Sequence, residues 1–386
     1  MASLVLPSFI QSLVAIILFS LVYYVHWELT VGASRRAMIS QHGCKPNKNN
    51  PELNSFPHNI FSNYTILDSL RALERGNFLA NVRARITRHG GTTIHNKAMF
   101  TTLYTTMEPE NLKTIMALNF KEWSLGTRRK TAFLPLLGHG IFTTDGAAWQ
   151  HSRELLRPNF ARNQVADLDT FEMHVKQLIR AIPRDGSAVN LQDLFFELTM
   201  DSATEFLFGE STDCLAPGKA SEHSVRFADA FNRSQEKISE SFRRGPLGDF
   251  FRSKKQFKQD VKTCHDFVDH FVRKGLEYRK TLDLSKGPPE IKQGERYVFL
   301  HELVKRTADP IQIRSELLNI FLAGRDTTAS LLSDVWFVLA RRPDIWSKLR
   351  AEVDDLGGKQ PTFQQIKDMK YLKMVLNESK TLASFA

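Results

Sequence analysis

Two short patterns in this 386-residue chain place chemistry-bearing side chains at helical spacing. The first is Ala323-Gly324-Arg325-Asp326-Thr327-Thr328, set in the middle of the largely apolar run Gln312–Arg341. A mid-helix glycine costs roughly 1 kcal/mol against alanine, and threonine hydroxyls compete for backbone carbonyls. Local conflict of this kind is expected where a site is built. Ala323 and Thr327 fall four residues apart with Gly324 beside them, so small residues open a groove lined by a hydroxyl. Asp326 next to that groove has the chemistry to move protons. The same residues also suit a kinked core helix whose threonine hydroxyls are satisfied internally. The second pattern is Trp149 with Arg153, again four apart. From one helix face an indole N–H and a guanidinium can both reach an anionic carboxylate, although simple ring–guanidinium stacking is the plainer reading of such a pair.

The elements that must carry these residues read as mostly helical. Apolar residues recur at spacings of three and four in Leu67–Arg75, Pro109–Ala117, Ala147–Leu156, Ala166–Ile182 and Leu191–Leu207. The longer runs Glu222–Ser241, Gln259–Tyr278 and Gln312–Arg341 repeat the pattern more strongly. The last is apolar nearly all round, which predicts a helix through the centre of the domain. Alternation with β-branched residues in Thr92–Ala98 and Met99–Tyr104 predicts a small sheet. The fold class is mainly α with a small β part.

At the start, Phe9–Trp27 is 19 residues without Asp, Glu, Lys or Arg, long enough for a helix to cross a bilayer. Tyr23, Tyr24 and Trp27 cluster at one end as an interfacial belt would. The first charges follow the run, at Glu28, Arg35 and Arg36, which fits a retained anchor better than a cleaved signal. Continuing basic residues put the body of the protein in the cytosol. Residues 1–40 are thus expected to be a membrane anchor, 41–58 a polar linker, and 59–386 the working body. Net charge is +10, and 11 Lys/Arg against 5 Asp/Glu lie between Arg243 and Lys280. That stretch suits a solvated face, an anionic membrane surface or an acidic partner protein. No nucleic-acid reader motif accompanies it, so no nucleic-acid partner is expected. Composition excludes collagen-like, low-complexity and disordered chains. Cys44, Cys214 and Cys264 form no CxxC or Cys/His cluster, which excludes a disulfide framework and a zinc site.

Taken together, these motifs resemble those of the cytochrome P-450 monooxygenases. AGRDTT is similar to the family's central-helix motif, and Trp149/Arg153 to its WxxxR motif. YLKMVLNES (Tyr371–Ser379) resembles the approach to ExxR, with Glu378 as its Glu. The wording of LGHGIFTTDGAAWQHSRELLRPNF and FLAGRDTTASLLSDVWFVLARRPDIWSKLRAEV is similar to the fungal branch that hydroxylates n-alkanes and fatty acids.

The resemblance implies a single large domain and haem b as cofactor. Trp149 and Arg153 would hold a haem propionate. Asp326 and Thr327 would deliver protons, and Ala323 and Gly324 would leave room for O2. Phe142 would wall the substrate channel. The implied partners are NADPH–cytochrome P-450 reductase, membrane lipid and a lipophilic small molecule, and the implied location is the endoplasmic reticulum membrane. Where ExxR calls for arginine the chain has Thr381, and no cysteine-loop motif follows. The expectation is therefore a C-terminally truncated domain lacking its haem-ligand region. The alternative in function is an inactive, membrane-anchored helical protein without thiolate-ligated haem.

Overall fold

The computed structural model describes residues 8–41, 43, 68, 71–72, 74–88, 91–98, 101–160, 168–216, 218–250, 254–285 and 297–383. The described chain falls into two compact units, 1–69 with 82–108, and 70–81 with 109–386.

In the first unit, α1 (Ser8–Trp27) passes through a π-helical turn at Glu28–Gly32 into α2 (Ala33–Gln41). From Gln11 onward this helix is long and apolar enough to cross a membrane, and its apolar residues are exposed. Its polar end is knit internally. Arg36 pairs with Glu28, and the Arg35 guanidinium lies 5.5 Å from the Trp27 ring centre. Helix α3 (Phe78–Arg88) leads to the antiparallel hairpin β1 (Thr93–Ala98) and β2 (Thr101–Thr106), where Thr93 faces Thr106 and Ala98 faces Thr101. The predicted sheet is therefore present. Of the predicted helix Leu67–Arg75, the described residues 68, 71, 72 and 74 are helical, while 67, 69, 70 and 73, and the linker residues 44–58, lie outside the described residues.

The second unit holds the remaining helices. They are α4 (Pro109–Lys113), α5 (Gly126–Leu137), α6 (Gly146–Leu156), α7 (Leu168–Ala181), α8 (Leu191–Phe208), α9 (Glu222–Phe250), α10 (Lys255–Lys280), α11 (Phe299–Arg306), α12 (Pro310–Leu339), α13 (Pro343–Asp354), α14 (Phe363–Asp368) and α15 (Lys370–Ala383). Helix α12 starts two residues before the expected Gln312, behind a cap and a first-turn proline. Asp309 accepts from the Ile311 and Gln312 N–H groups (2.9 and 3.3 Å), and Pro310 occupies the first turn, where no donor is missed.

Helix α12 packs against α5, α8, α10, α11 and α15. Ile313, Leu317 and Phe321 on it are fully buried. Around them phenylalanines fill the core. Phe227 stacks on Phe267 (centroids 4.1 Å), Phe208 on Phe271 (4.6 Å), and Phe231 meets Phe321 edge-on (4.7 Å). Each such contact adds to area burial through the ring quadrupoles. Buried Asp201 of α8 fastens the segment after its helix, accepting from Thr212 Oγ1 (2.7 Å), Cys214 N (2.8 Å) and Leu215 N (3.0 Å). The basic stretch of α10 is largely a paired, solvated surface. Lys262 meets Asp266, Lys274 meets Glu210 and Lys280 meets Glu277, all on exposed side chains.

Candidate functional site

Helix α12 runs through AGRDTT without a break. The threonine hydroxyl is satisfied within the helix, as the sequence admitted: Thr327 Oγ1 donates to the Ala323 carbonyl at 2.7 Å. Gly324, Thr327 and Thr328 are exposed and Ala323 is half-buried. A Cβ built on Gly324 would meet no atom within 4 Å. Among the described residues, this face of the central helix is thus lined by small, exposed residues, while Leu317 and Phe321 face the core.

Asp326 is half-buried and belongs to a pair that the sequence reading missed. Arg325 Nη1 holds Asp326 Oδ1 at 2.8 Å, and Nη2 donates to Asn232 Oδ1 of α9 at 2.6 Å. Arg325 is only 4% exposed, and its guanidinium lies 4.9 Å from the Phe196 ring centre. Burial pulls its pKa down and the Asp326 carboxylate pulls it back up. The signal was an arginine inside an apolar run, which must be partnered if it turns inward.

Helix α6 begins after Asp145, which accepts from the Leu125 N–H (3.1 Å) and pairs with Lys130 (2.7 Å). The Lys130 contact holds the Asp145 carboxyl below its usual range. Trp149 is half-buried against Phe120 (centroids 5.1 Å), and the Arg153 guanidinium lies 5.4 Å from the Trp149 ring centre. The structure therefore brings Trp149 to Arg153, Ala323 to Thr327, and Asp326 to Arg325. No hydrogen bond or ion pair joins the α6 pair to the α12 group among the described residues.

Two further buried polar groups on α12 stand near α6. Glu316 is fully buried, and burial pushes its carboxyl pKa up. Neither of its oxygens has a well-aligned partner, and the Ser152 hydroxyl and Ile141 N–H only partly offset that burial. Asn319, also fully buried, bonds the segment that precedes α6. Both residues interrupt the apolar pattern of SELLNIFL, a signal that could have found them.

The residues present fit part of a haem. The bare Ala323–Thr327 face suits a flat ring, and Trp149 with Arg153, which has no carboxylate partner among the described residues, suits a propionate. Among the described residues no cysteine presents a free thiolate for the iron. Desolvation pushes the Cys214 thiol to about 11 and the Cys264 thiol to about 12, so neither is a thiolate near neutral pH. Cys264 faces the core at 0% exposure, and Cys44 lies outside the described residues. Glu378 is exposed on α15.

Comparison with known proteins agrees with this geometry. A family model described as Cytochrome P450 matches residues 61–380. Cytochrome P450 monooxygenase fsdH of Fusarium heterosporum is 41% identical over 93% of this chain and 63% of its own length. Cytochrome P450 52A5 of Candida maltosa is 43% identical over 75% of this chain and 57% of its own. The chain spans less than two thirds of the length of these relatives. The crystal structure of the cytochrome P450DA heme domain has the same fold, with a TM-score of 0.63 over 78% of this chain and 64% of that chain, at 18% identity. The matched helices, the central AGRDTT helix and the Trp149/Arg153 pair converge on one assignment: the chain belongs to the cytochrome P450 family.

Proposed function

We propose that this domain serves a haem-dependent monooxygenase that hydroxylates n-alkanes or fatty acids. The observation that carries the reading is the bare small-residue face of α12, with Thr327 and Asp326 at its edge. Haem, when bound, supplies activation of O2. The chain's own residues do the rest. The Trp149 indole N–H and Arg153 guanidinium bind a carboxylate edge. Ala323 and Gly324 leave space over the ring. Asp326 Oδ1 is fixed by Arg325, which leaves Oδ2 to accept and pass a proton. Thr327 Oγ1 donates to Ala323 and keeps lone pairs outward to receive one. The apolar α1 would anchor the chain in the endoplasmic reticulum membrane, with the body in the cytosol beside lipophilic substrate and NADPH–cytochrome P450 reductase.

A second reading is favoured by the two described cysteines, both sheltered and protonated: without thiolate-ligated haem, the chain would be a membrane-anchored helical protein that binds lipid. Incubating the chain with haemin, reductase, NADPH and dodecanoate separates the two. Hydroxydodecanoate as product supports the monooxygenase. Dodecanoate binding without product supports the second reading, and no dodecanoate binding contradicts the substrate class.

A further inference from the structure

The segment Gly138–Thr144 links α5 to α6 and is held in an unusually tight seat against α12. Gly138 adopts φ +64°, and a Cβ there would lie 2.2 Å from Ser315 Oγ. A Cβ on Gly140 would lie 2.3 Å from Asn319 Nδ2. Only glycine fits either place. Asn319 uses that closeness. Its Oδ1 accepts from the Phe142 N–H (2.9 Å), while its Nδ2 donates to the Leu137 carbonyl (3.1 Å) and the Ser315 carbonyl (2.7 Å). The loop's own threonines brace the rest: Thr143 Oγ1 donates to the Gly138 carbonyl (2.6 Å) and Thr144 Oγ1 to the Gly140 carbonyl (2.8 Å).

We propose that Asn319 is a positioning residue that sets substrate chain-length preference by fixing the Phe142 backbone against the central helix. This rests on the fatty-acid reading above and on the resemblance, which implies Phe142 as a wall of the substrate channel. The side chain is fully buried, makes all three bonds at good length, and lies one turn before Ala323 on the same helix. It thus holds Phe142 in fixed register with the AGRDTT face. Buried amides satisfied on both sides specify one arrangement, because each broken bond leaves a desolvated partner. No hydroxyl or apolar side chain of similar size offers both the acceptor and the donors.

The test compares Asn319→Ala and Gly140→Ala, the latter a wedge that pushes the amide away while leaving it intact. Two controls accompany them. Ser315→Ala removes only a hydroxyl bonded to its own helix at Ile311, and Asp201→Asn loosens a distant buried clip. Hydrogen exchange at the Phe142 amide should quicken about tenfold or more in both test variants and in neither control. Affinities for C8 to C16 fatty acids should change order in the test variants. Asp201→Asn should lower the melting temperature yet keep the wild-type order. Unchanged exchange at Phe142, or loosened exchange with an unchanged chain-length order, would overturn the proposal. A wild type that binds none of these acids would overturn the function reading and the role given to Phe142, while exchange at Phe142 still decides whether Asn319 holds the loop.

Discussion

At the residue scale, what decides the behaviour of this chain is how its buried polar groups are partnered. Asp201 is fully satisfied by one hydroxyl and two amides, so Asp201→Ala should cost about 3 kcal/mol in denaturant unfolding through the donors left unmatched. Glu316 is the opposite case. Its folded pKa lies above its unfolded one, so the unfolded chain releases the proton first and stability falls as pH rises through the window between them. Glu316→Gln removes that dependence. Its stability advantage should grow across the window by at most about 1.4 kcal/mol per pH unit, measured by denaturation at a series of pH values. An advantage that stayed flat would show that Glu316 does not titrate between the two states. Cys214 and Cys264, protonated and sheltered, should resist a thiol-labelling reagent at neutral pH until the protein unfolds, as peptide mapping would show. These fates were poorly legible in the sequence. Asn319 and Glu316 stood out only as polar letters in an apolar run, because the loop that receives them lies some 175 positions away in the chain.

At the element scale, periodicity located the long helices well. The expected Leu191–Leu207 is observed as Leu191–Phe208, and Gln312–Arg341 as Pro310–Leu339. Helix α5 escaped notice for a physical reason: Pro135 lies inside it, a residue that ordinarily stops a helix, here in the final turn before Gly138. The first-turn proline of α13 and the Thr362/Gln365 capping box of α14 were start signals that went unread. Helix α15 is held at its start by Glu352 of α13, which accepts from the Tyr371 and Leu372 N–H groups (2.9 and 2.8 Å). Phe321 ties α12 to α9 through Phe227 and Phe231, so Phe321→Ala should cost about 3–5 kcal/mol in thermal or denaturant unfolding. Asp309→Ala, which only uncaps α12, should cost about 1 kcal/mol.

At the scale of the whole molecule, the apolar helix and the helical body make separable predictions. Removal of residues 1–41 should release the protein from membranes under alkaline carbonate extraction and leave the melting temperature of the body unchanged. The body has the family fold; among the described residues its central helix carries exposed small residues at AGRDTT, Arg153 lies against the Trp149 ring, and the described thiols stay protonated. Under the proposed function, the α12 face would take a flat ring while the described thiols would leave its iron without a thiolate. This is tested most directly by reducing the haemin-treated 386-residue chain under carbon monoxide and recording the absorption difference spectrum. Haem should be captured, more weakly in Trp149→Ala and Arg153→Ala, without the red-shifted Soret band of a thiolate-ligated haem. The appearance of that band in the unsubstituted chain would contradict this expectation.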